Sequence, residues 1–215
     1  MSIRACLLAS ALLALCAPLR AELVADRDYK TLDPVQYTDS PGKIEVIEFF
    51  SYACPHCNEF YPLVSAWVAK LPKDVVFKRV PIGFGRAAWI NLAKAYYALE
   101  ATGELGRLDG ALFHALHEEH LPLFDENSIR EWVGKQGADA SKFAAAFESF
   151  GVSAKLSKGE QMVENYKIEA VPTLAVDGKY VVIARGFAEV LTNADQVIAK
   201  VRAAGGRDTA RVERR

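Results

Sequence analysis

Two β-rich runs on either side of one helix-length segment constrain the fold of this chain more than any other feature. Residues 44–50 read Ile-Glu-Val-Ile-Glu-Phe-Phe, and residues 75–80 form a second apolar run that follows the turn residues Pro-Lys-Asp. The segment between them, residues 55–71, has the length of a helix. Because the joints are short, the three pieces predict a βαβ unit with parallel strands and a right-handed crossover.

The region from about residue 87 to residue 166 contains no comparable β-rich run. Alanine-rich helical patterns take its place, and turn residues separate them at Gly103, residues 122–127, Gly137 and Gly151. These spacings predict four to six short helices. We therefore expect a helical subdomain, inserted after the βαβ unit.

A β-hairpin and a final helix are predicted after the insertion. Residues 173–176 and 180–183 flank the pair Asp177-Gly178. Glycine accepts the positive φ that tight hairpin turns require, so this is a strong hairpin signal. The last helix is expected from about Glu189 to Ala203, ahead of a charged and frayed tail.

The order of these elements is that of a thioredoxin fold, an α/β domain, with a helical domain inserted between the βαβ unit and the C-terminal hairpin and helix. Turn residues also bracket residues 35–38, which we predict to be an edge strand. The predicted boundaries are 22–86 and 167–206 for the thioredoxin-like domain, 87–166 for the inserted helical subdomain and 207–215 for the tail.

The first 21 residues have the pattern of a secretory signal peptide. Arg4 precedes an apolar run, residues 5–19, and Arg20-Ala21 closes the run before a polar stretch begins. The apolar run is shorter than the ~20 residues of a membrane-spanning helix. We expect cleavage after Ala21 and export of the mature chain. An uncleaved anchor and a lipoprotein attached through Cys16 are the alternatives.

Overall charge gives no reason to expect a nucleic-acid partner. The 26 lysine and arginine residues nearly balance the 27 aspartate and glutamate residues, for a formal net charge of −1. With 51% hydrophobic residues, a chain of 215 residues can bury a core of ordinary size. The partners of the protein must therefore be inferred from local chemistry.

Cysteine usage points to redox chemistry rather than to a structural disulfide framework. Cys6 and Cys16 fall in the predicted signal peptide, so the mature chain keeps Cys54 and Cys57 alone. A bridge between these two would close a very short loop and would hardly restrain the unfolded chain. A purely structural disulfide is a poor explanation of the pair.

The motif Cys54-Pro55-His56-Cys57 stands at the predicted start of a helix. Unpaired N–H groups there stabilise a thiolate, so Cys54, at the exposed end, is the predicted attacking sulfur. His56 adds a favourable interaction with that thiolate, and Pro55 suits an early helical position. Stabilising the thiolate stabilises the reduced form, which makes the disulfide a stronger oxidant. Cys57 is predicted to be buried and to resolve the mixed disulfide.

Half of a zinc site is the alternative explanation of a C-x-x-C motif. No further cysteine remains in the mature chain, and His114, His117 and His120 lie within one predicted helix of the insertion. A solvated helix face explains those histidines better than a metal site does. We therefore predict no metal and no cofactor other than the redox-active disulfide Cys54–Cys57.

Three further segments complete a recognisable pattern. Residues 48–51, Glu-Phe-Phe-Ser, lead into the cysteine motif, a helical insertion follows, and Val171-Pro172-Thr173 opens the later strand. In these features the sequence resembles the DsbA family of exported thiol-disulfide oxidoreductases. The resemblance implies a periplasmic enzyme that donates the Cys54–Cys57 disulfide to reduced or unfolded exported proteins. It also implies reoxidation by a quinone-linked membrane protein resembling DsbB.

The resemblance also implies roles for residues near the cysteine pair. In that family the proline matching Pro172 is cis and lies beside the cysteines, where the backbone of the preceding residue, Val171, can pair with a bound peptide. A trans proline that opens a strand is the alternative. Trp89 is expected to line the site, unless it is simply a buried residue at a helix start.

Glu48 resembles the buried acid that assists proton transfer at Cys57 in thioredoxin-like proteins. Burial would raise the pKa of a carboxyl group there and suit it to exchange a proton with a thiol. The alternative is a strand residue that faces solvent or pairs with Lys78 or Arg79. The strand pattern leaves open which face Glu48 occupies.

Two other functions remain open on sequence grounds. One is a disulfide isomerase or reductase of the same fold, and the other is a non-catalytic protein that binds metal or holds substrates. Isomerases of this fold typically carry an added dimerisation domain, and the short stretch before the first strand leaves no room for one. We expect the protein to act as a monomer.

Overall fold

The computed structural model describes residues 22–212, with the side chains of the last helix described as far as residue 205. The predicted signal peptide lies outside the described residues, as does the end of the tail, 213–215. The elements in chain order are β1 Tyr29–Thr31, β2 Ile44–Phe50, α1 Pro55–Val68, β3 Val75–Pro81, α2 Ala87–Thr102, α3 Leu105–His117, α4 Glu126–Lys135, α5 Ala140–Phe147, α6 Phe150–Asn165, β4 Thr173–Val176, β5 Tyr180–Val182 and α7 Phe187–Val212.

The sheet confirms the predicted thioredoxin fold. Its strand order is β1-β5-β4-β2-β3, with β2 and β3 parallel and every other pair antiparallel. Strand β2 lies between β4 and β3 and is buried along its whole length. A strand covered on both faces reads as a nearly continuous apolar run, which is why the sequence of β2 was easy to recognise.

The insertion consists of five helices, α2–α6, which lie between β3 and β4 in the chain. Most of their buried residues form one hydrophobic cluster that also contains Cys54 and Cys57. In a second hydrophobic cluster, β2 packs against Phe60 and Val64 of α1 and against Val197 of α7. The cysteine pair therefore lies where the thioredoxin-like part meets the insertion.

The predicted hairpin is confirmed, and its turn has the expected geometry. Asp177 and Gly178 both have positive φ, at 56° and 63°. A Cβ on Gly178 would lie 2.1 Å from the carbonyl oxygen of Gln36, so the turn also requires glycine for space. The hairpin is thereby held against the N-terminal segment.

The predicted edge strand at residues 35–38 is wrong. Strand β1 lies earlier, and its Tyr29 pairs with Val182 of β5. Tyr29 is buried and its ring lies 5.2 Å from that of Tyr180, whereas Tyr37 is 85% exposed. The edge strand therefore forms at residues 29–31, where Tyr29 can be buried against the hairpin. The turn residues around residues 35–38 did not indicate its position.

Helix α7 is longer than predicted, since it begins at Phe187 and continues to Val212. Residues 204–212 contain no proline, and glycine costs only about 1 kcal/mol within a helix, so nothing in the sequence stops it at Ala203. None of the helices in residues 22–212 combines the length and apolar character needed to cross a membrane.

Phe60 offers a test of this packing. It is fully buried and packs between the sheet and α7, so Phe60→Ala should lower the free energy of unfolding by about 3–5 kcal/mol. The matched control is Phe150→Ala, because Phe150 is 88% exposed and its loss should change stability by less than about 0.5 kcal/mol. Urea denaturation of both variants measures the difference. Equal losses would contradict the assigned packing.

Candidate active site

The cysteine motif lies where strand β2 gives way to helix α1. Cys54 is the N-cap residue of α1, and Pro55 is its first helical residue, where a missing N–H costs nothing. Within the described residues no side chain caps this end of the helix. The N–H groups of the first turn are therefore available to stabilise a negatively charged sulfur.

Both cysteines are free thiols and both are buried. Cys57 has no exposed surface, whereas Cys54 keeps 7%, less than predicted from its position at a helix terminus. The reason is tertiary: Val171, distant in sequence, packs against the same cluster. The Cys54 thiol donates a hydrogen bond to the carbonyl oxygen of Val171 over 3.5 Å.

The surroundings of Cys54 favour its thiolate. A hydrogen bond from the Cys57 thiol lowers the pKa of Cys54 to about 6, against an ordinary value of 9.0. Backbone N–H groups of Cys57 and His56 and the charge of His56 act in the same direction, while burial opposes them. At neutral pH the reduced protein therefore carries a thiolate at Cys54.

The pKa of Cys57 is shifted in the opposite direction from that of Cys54. Loss of solvent is the main reason that the pKa of Cys57 lies far above the ordinary value, and the interactions with Cys54 and Glu48 add to it. The sulfur of Cys57 is therefore protonated whenever it is free. The two sulfurs are chemically unequal.

The loop before β4 lies beside the cysteines. The Val171–Pro172 peptide bond is cis. Both residues line a cavity of about 400 Å³ together with His56 and Glu59 of α1 and Phe187 of α7. The geometry brings the predicted substrate-binding residues Val171 and Pro172 together with His56 on one open face.

Glu48 is completely buried, so the alternative of a solvent-facing residue is wrong. The parallel register places Glu48 opposite Arg79, whose Nε donates to Glu48 Oε2 over 2.7 Å. Lys78 projects to the other face of the sheet and pairs with Glu45. Burial raises the pKa of Glu48, although Arg79 acts to lower it.

The histidines of the insertion do not converge. His114 and His117 lie on α3, but His120 lies beyond the end of the helix, at φ 55°. His114 pairs with Glu119, whereas His117 Nε2 donates to the carbonyl oxygen of Tyr52 over 2.7 Å. Among the side chains that the structure describes, no group of three or more histidine, cysteine, aspartate or glutamate residues could hold a metal ion.

Sequence reasoning missed several residues around the motif. Tyr52, Asp109 and Phe187 were not predicted to matter, and Arg79 was considered only as a possible partner of Glu48. Tyr52 lies two residues before Cys54 and could have been suspected for that reason. Asp109 carries no local signal, because its role comes from a contact with a distant strand. Trp89 is half-buried, packs against the cluster that contains the cysteines and contacts Phe84.

Comparison with known proteins agrees with this geometry. Residues 45–196 match the family model described as DSBA-like thioredoxin domain. The chain belongs to the DsbA-like thioredoxin family. It is therefore a thiol-disulfide oxidoreductase of the kind that introduces disulfide bonds, which excludes the non-catalytic alternative.

Individual relatives span almost the same length. The thiol:disulfide interchange protein DsbA of Bordetella parapertussis is 39% identical over 82% of this chain and 85% of its own. The protein of that name from Pseudomonas aeruginosa is 36% identical over 85% and 88%. The crystal structure of Pseudomonas aeruginosa DsbA is similar with a TM-score of 0.82 at 35% identity, over 86% of this chain and 97% of that one.

The thiolate of Cys54 can be titrated directly. Ultraviolet absorbance of the reduced protein should reveal a thiolate forming with a pKa of about 6. His56→Ala removes a favourable charge and should raise that pKa by about one pH unit. His114→Ala is the matched control, since His114 lies on α3 and pairs with Glu119. An identical titration in the two variants would show that His56 does not act on Cys54.

The same pKa predicts how stability depends on pH. The folded-state pKa of Cys54 lies below its unfolded value, so its thiolate contributes stability at high pH that is lost as the pH falls through about 6. Reduced wild-type protein should therefore lose stability relative to Cys54→Ser as the pH falls from about 8 to about 5. Thermal unfolding at each pH measures this. If the stabilities of the two proteins changed with pH by the same amount, the lowered pKa of Cys54 would be contradicted.

Proposed function

We propose that the protein introduces disulfide bonds into reduced exported proteins in the periplasm by donating the Cys54–Cys57 disulfide. The observation that carries this proposal is the contrast between the two sulfurs, with Cys54 stabilised as a thiolate and Cys57 buried and protonated. Only the reduced form contains the stabilised thiolate, so reduction of the disulfide is favoured and the oxidised protein is a strong oxidant.

The reaction takes place in two exchanges. A substrate thiolate attacks Cys54 Sγ, a bond forms between those sulfurs, and the Cys54–Cys57 bond breaks with its electron pair going to Cys57. Cys57 then takes a proton, for which Glu48 is the donor. A second substrate thiolate attacks the substrate sulfur of the mixed disulfide, and Cys54 leaves as a stabilised thiolate. The substrate is oxidised by two electrons, and the protein is reduced.

Each site residue has a role in this scheme. Pro55 opens helix α1, and His56 stabilises the Cys54 thiolate. Val171 and Pro172 present backbone to an extended peptide in the adjoining cavity. Glu48 exchanges a proton with Cys57. The scheme requires the redox-active Cys54–Cys57 disulfide and no separate cofactor.

The chemistry of the site and the family support a periplasmic setting. Curated relatives are named thiol:disulfide interchange proteins, and the N-terminal signal pattern suits export. The reduced protein needs an oxidant for its next cycle, and a quinone-linked membrane partner resembling DsbB would supply it. We propose that the protein works as a monomer, with the insertion 87–166 and the thioredoxin-like segments 22–86 and 167–206 together forming its site.

Two variants test the assignment of the sulfurs. Oxidised wild-type protein should oxidise a reduced, unfolded test protein, measured by loss of free thiols. Cys54→Ser should abolish exchange, because the attacked sulfur is gone. Cys57→Ser should instead accumulate a mixed disulfide with an oxidised test protein, visible on a non-reducing gel. Its Cys54 thiolate attacks a disulfide of that protein and releases one thiolate, and no Cys57 sulfur is left to displace the bound protein. Exchange by Cys54→Ser would overturn the assignment.

The direction of transfer needs a separate measurement. Equilibrium with glutathione gives the reduction potential of the pair, and we expect a value well above the approximately −270 mV of thioredoxin. A potential near the thioredoxin value would favour the reductase or isomerase alternative. Failure to oxidise the test protein would point the same way.

A further inference from the structure

A network of buried polar side chains links the central sheet to the helical insertion beneath the cysteine motif. Arg79 of β3 is at its centre. Its Nε donates to Glu48 Oε2 over 2.7 Å, and its Nη1 donates to Asp109 Oδ1 and Oδ2 over 3.0 and 2.7 Å. The guanidinium group of Arg79 therefore donates hydrogen bonds to two carboxylates, one from the sheet and one from α3.

The surroundings hold this arginine in place and strengthen its interactions. The guanidinium carbon of Arg79 lies 3.7 Å from the ring centre of Phe50, with the rings of Tyr61 and Phe113 at 5.2 and 5.7 Å. Little solvent reaches the side chains, since Arg79 is 10% exposed and Asp109 is 16% exposed. Charges so weakly screened affect one another more strongly than they would at the surface.

Close packing of α3 on α1 places Asp109 within reach of Arg79. The residue after Asp109 is Gly110, and a Cβ there would lie 3.1 Å from Cε1 of Tyr61. The hydroxyl group of Tyr52 donates to Asp109 Oδ1 over 2.5 Å and fixes the carboxylate from the side of the cysteine motif. Asp109 is thus positioned by the interface between the insertion and the thioredoxin-like part.

The hydrogen bonds are divided unequally between the two carboxylates. Both oxygens of Asp109 accept from Arg79, but Glu48 has one such bond, through Oε2. Among the described residues, Glu48 Oε1 and Arg79 Nη2 are buried without a hydrogen-bond partner. Glu48 therefore keeps one oxygen that can carry a proton while the other stays bonded to Arg79.

Four ionisable groups act on Glu48 from the elements packed around it. Arg79 of β3 favours the ionised carboxylate, whereas Asp109 of α3 opposes it. Cys57 of α1 and Tyr96 of α2 are the others, and both are neutral at neutral pH. Asp109 is the negative charge that offsets Arg79.

We propose that Asp109 is a positioning residue for disulfide exchange, because by engaging Arg79 it keeps the Glu48 carboxyl group able to hold the proton that passes to and from Cys57. This inference rests on the proposed role of Glu48. When the disulfide is attacked, Cys57 leaves with the electron pair and receives the Glu48 proton. When Cys57 later attacks a mixed disulfide, its proton returns to the Glu48 carboxylate.

Asp109→Asn tests the proposal with little change of shape, since the amide oxygen can still accept from Tyr52. Without the negative charge, Arg79 acts on Glu48 alone, and the pKa of Glu48 should fall by about one pH unit or more. Carbon NMR of the labelled carboxyl group measures this in the oxidised protein. Single-turnover oxidation of a reduced peptide at neutral pH should slow several-fold, because less Glu48 is protonated.

Matched variants separate this effect from a general loss of structure. Asp74→Asn removes another aspartate–arginine pair, with Arg202 at 2.7 Å, far from the cysteines, and should change neither the Glu48 titration nor the rate. Asp109→Glu keeps the charge and should restore both. If Asp109→Asn does not fold, Asp109→Ser removes the same charge with a smaller side chain and should lower the Glu48 pKa in the same way.

The outcomes distinguish this inference from the proposed function. A Glu48 pKa in Asp109→Asn equal to that in Asp74→Asn overturns the role of Asp109, even where the oxidase activity of the wild type is established. Glu48→Gln tests the step on which the inference rests. Exchange at the wild-type rate in Glu48→Gln would overturn proton transfer by Glu48, and with it the effect of Asp109 on catalysis, but not the disulfide donation itself.

Discussion

The chemistry of the protein depends on the start of helix α1 at the end of strand β2. Uncapped N–H groups and the Cys57 thiol converge on the sulfur of Cys54, and they stabilise a thiolate that exists only in the reduced form. That stabilisation is the source of the oxidising power. We propose that the cis peptide before Pro172 and the surrounding cavity present a substrate to this sulfur.

Burial is the second constraint, and its effect depends on what each group interacts with. Cys54 loses solvent yet gains hydrogen bonds to its charged form, so its pKa falls. Cys57 and Glu48 lose solvent without equal compensation, so the pKa of each rises. A sulfur that needs a proton on leaving thus lies near a carboxyl group able to hold one. The helical insertion contributes Asp109, which accepts hydrogen bonds from Arg79, the partner of Glu48.

Much of the fold could be predicted from the sequence because its main elements have local signals. The continuous apolar run of β2 and the Asp177-Gly178 turn were located within a residue or two of their observed positions. Strand β1 could not be found, because its position depends on pairing with β5 and on the burial of Tyr29 against Tyr180. The end of α7 was also wrong, since the charged residues beyond Ala203 neither require nor prevent a helix.

In the active site, too, some features could be predicted from the sequence and others depend on the tertiary structure. Cys54, Pro55, His56 and Cys57 are adjacent in the chain, so their order at a helix start specifies a redox pair with unequal sulfurs before any packing is considered. Contacts between distant segments decide the rest: Val171 limits the exposure of Cys54, and Arg79 is shared between Glu48 and Asp109. Such contacts leave no local pattern, because the energy of a buried charge depends on which groups packing brings beside it.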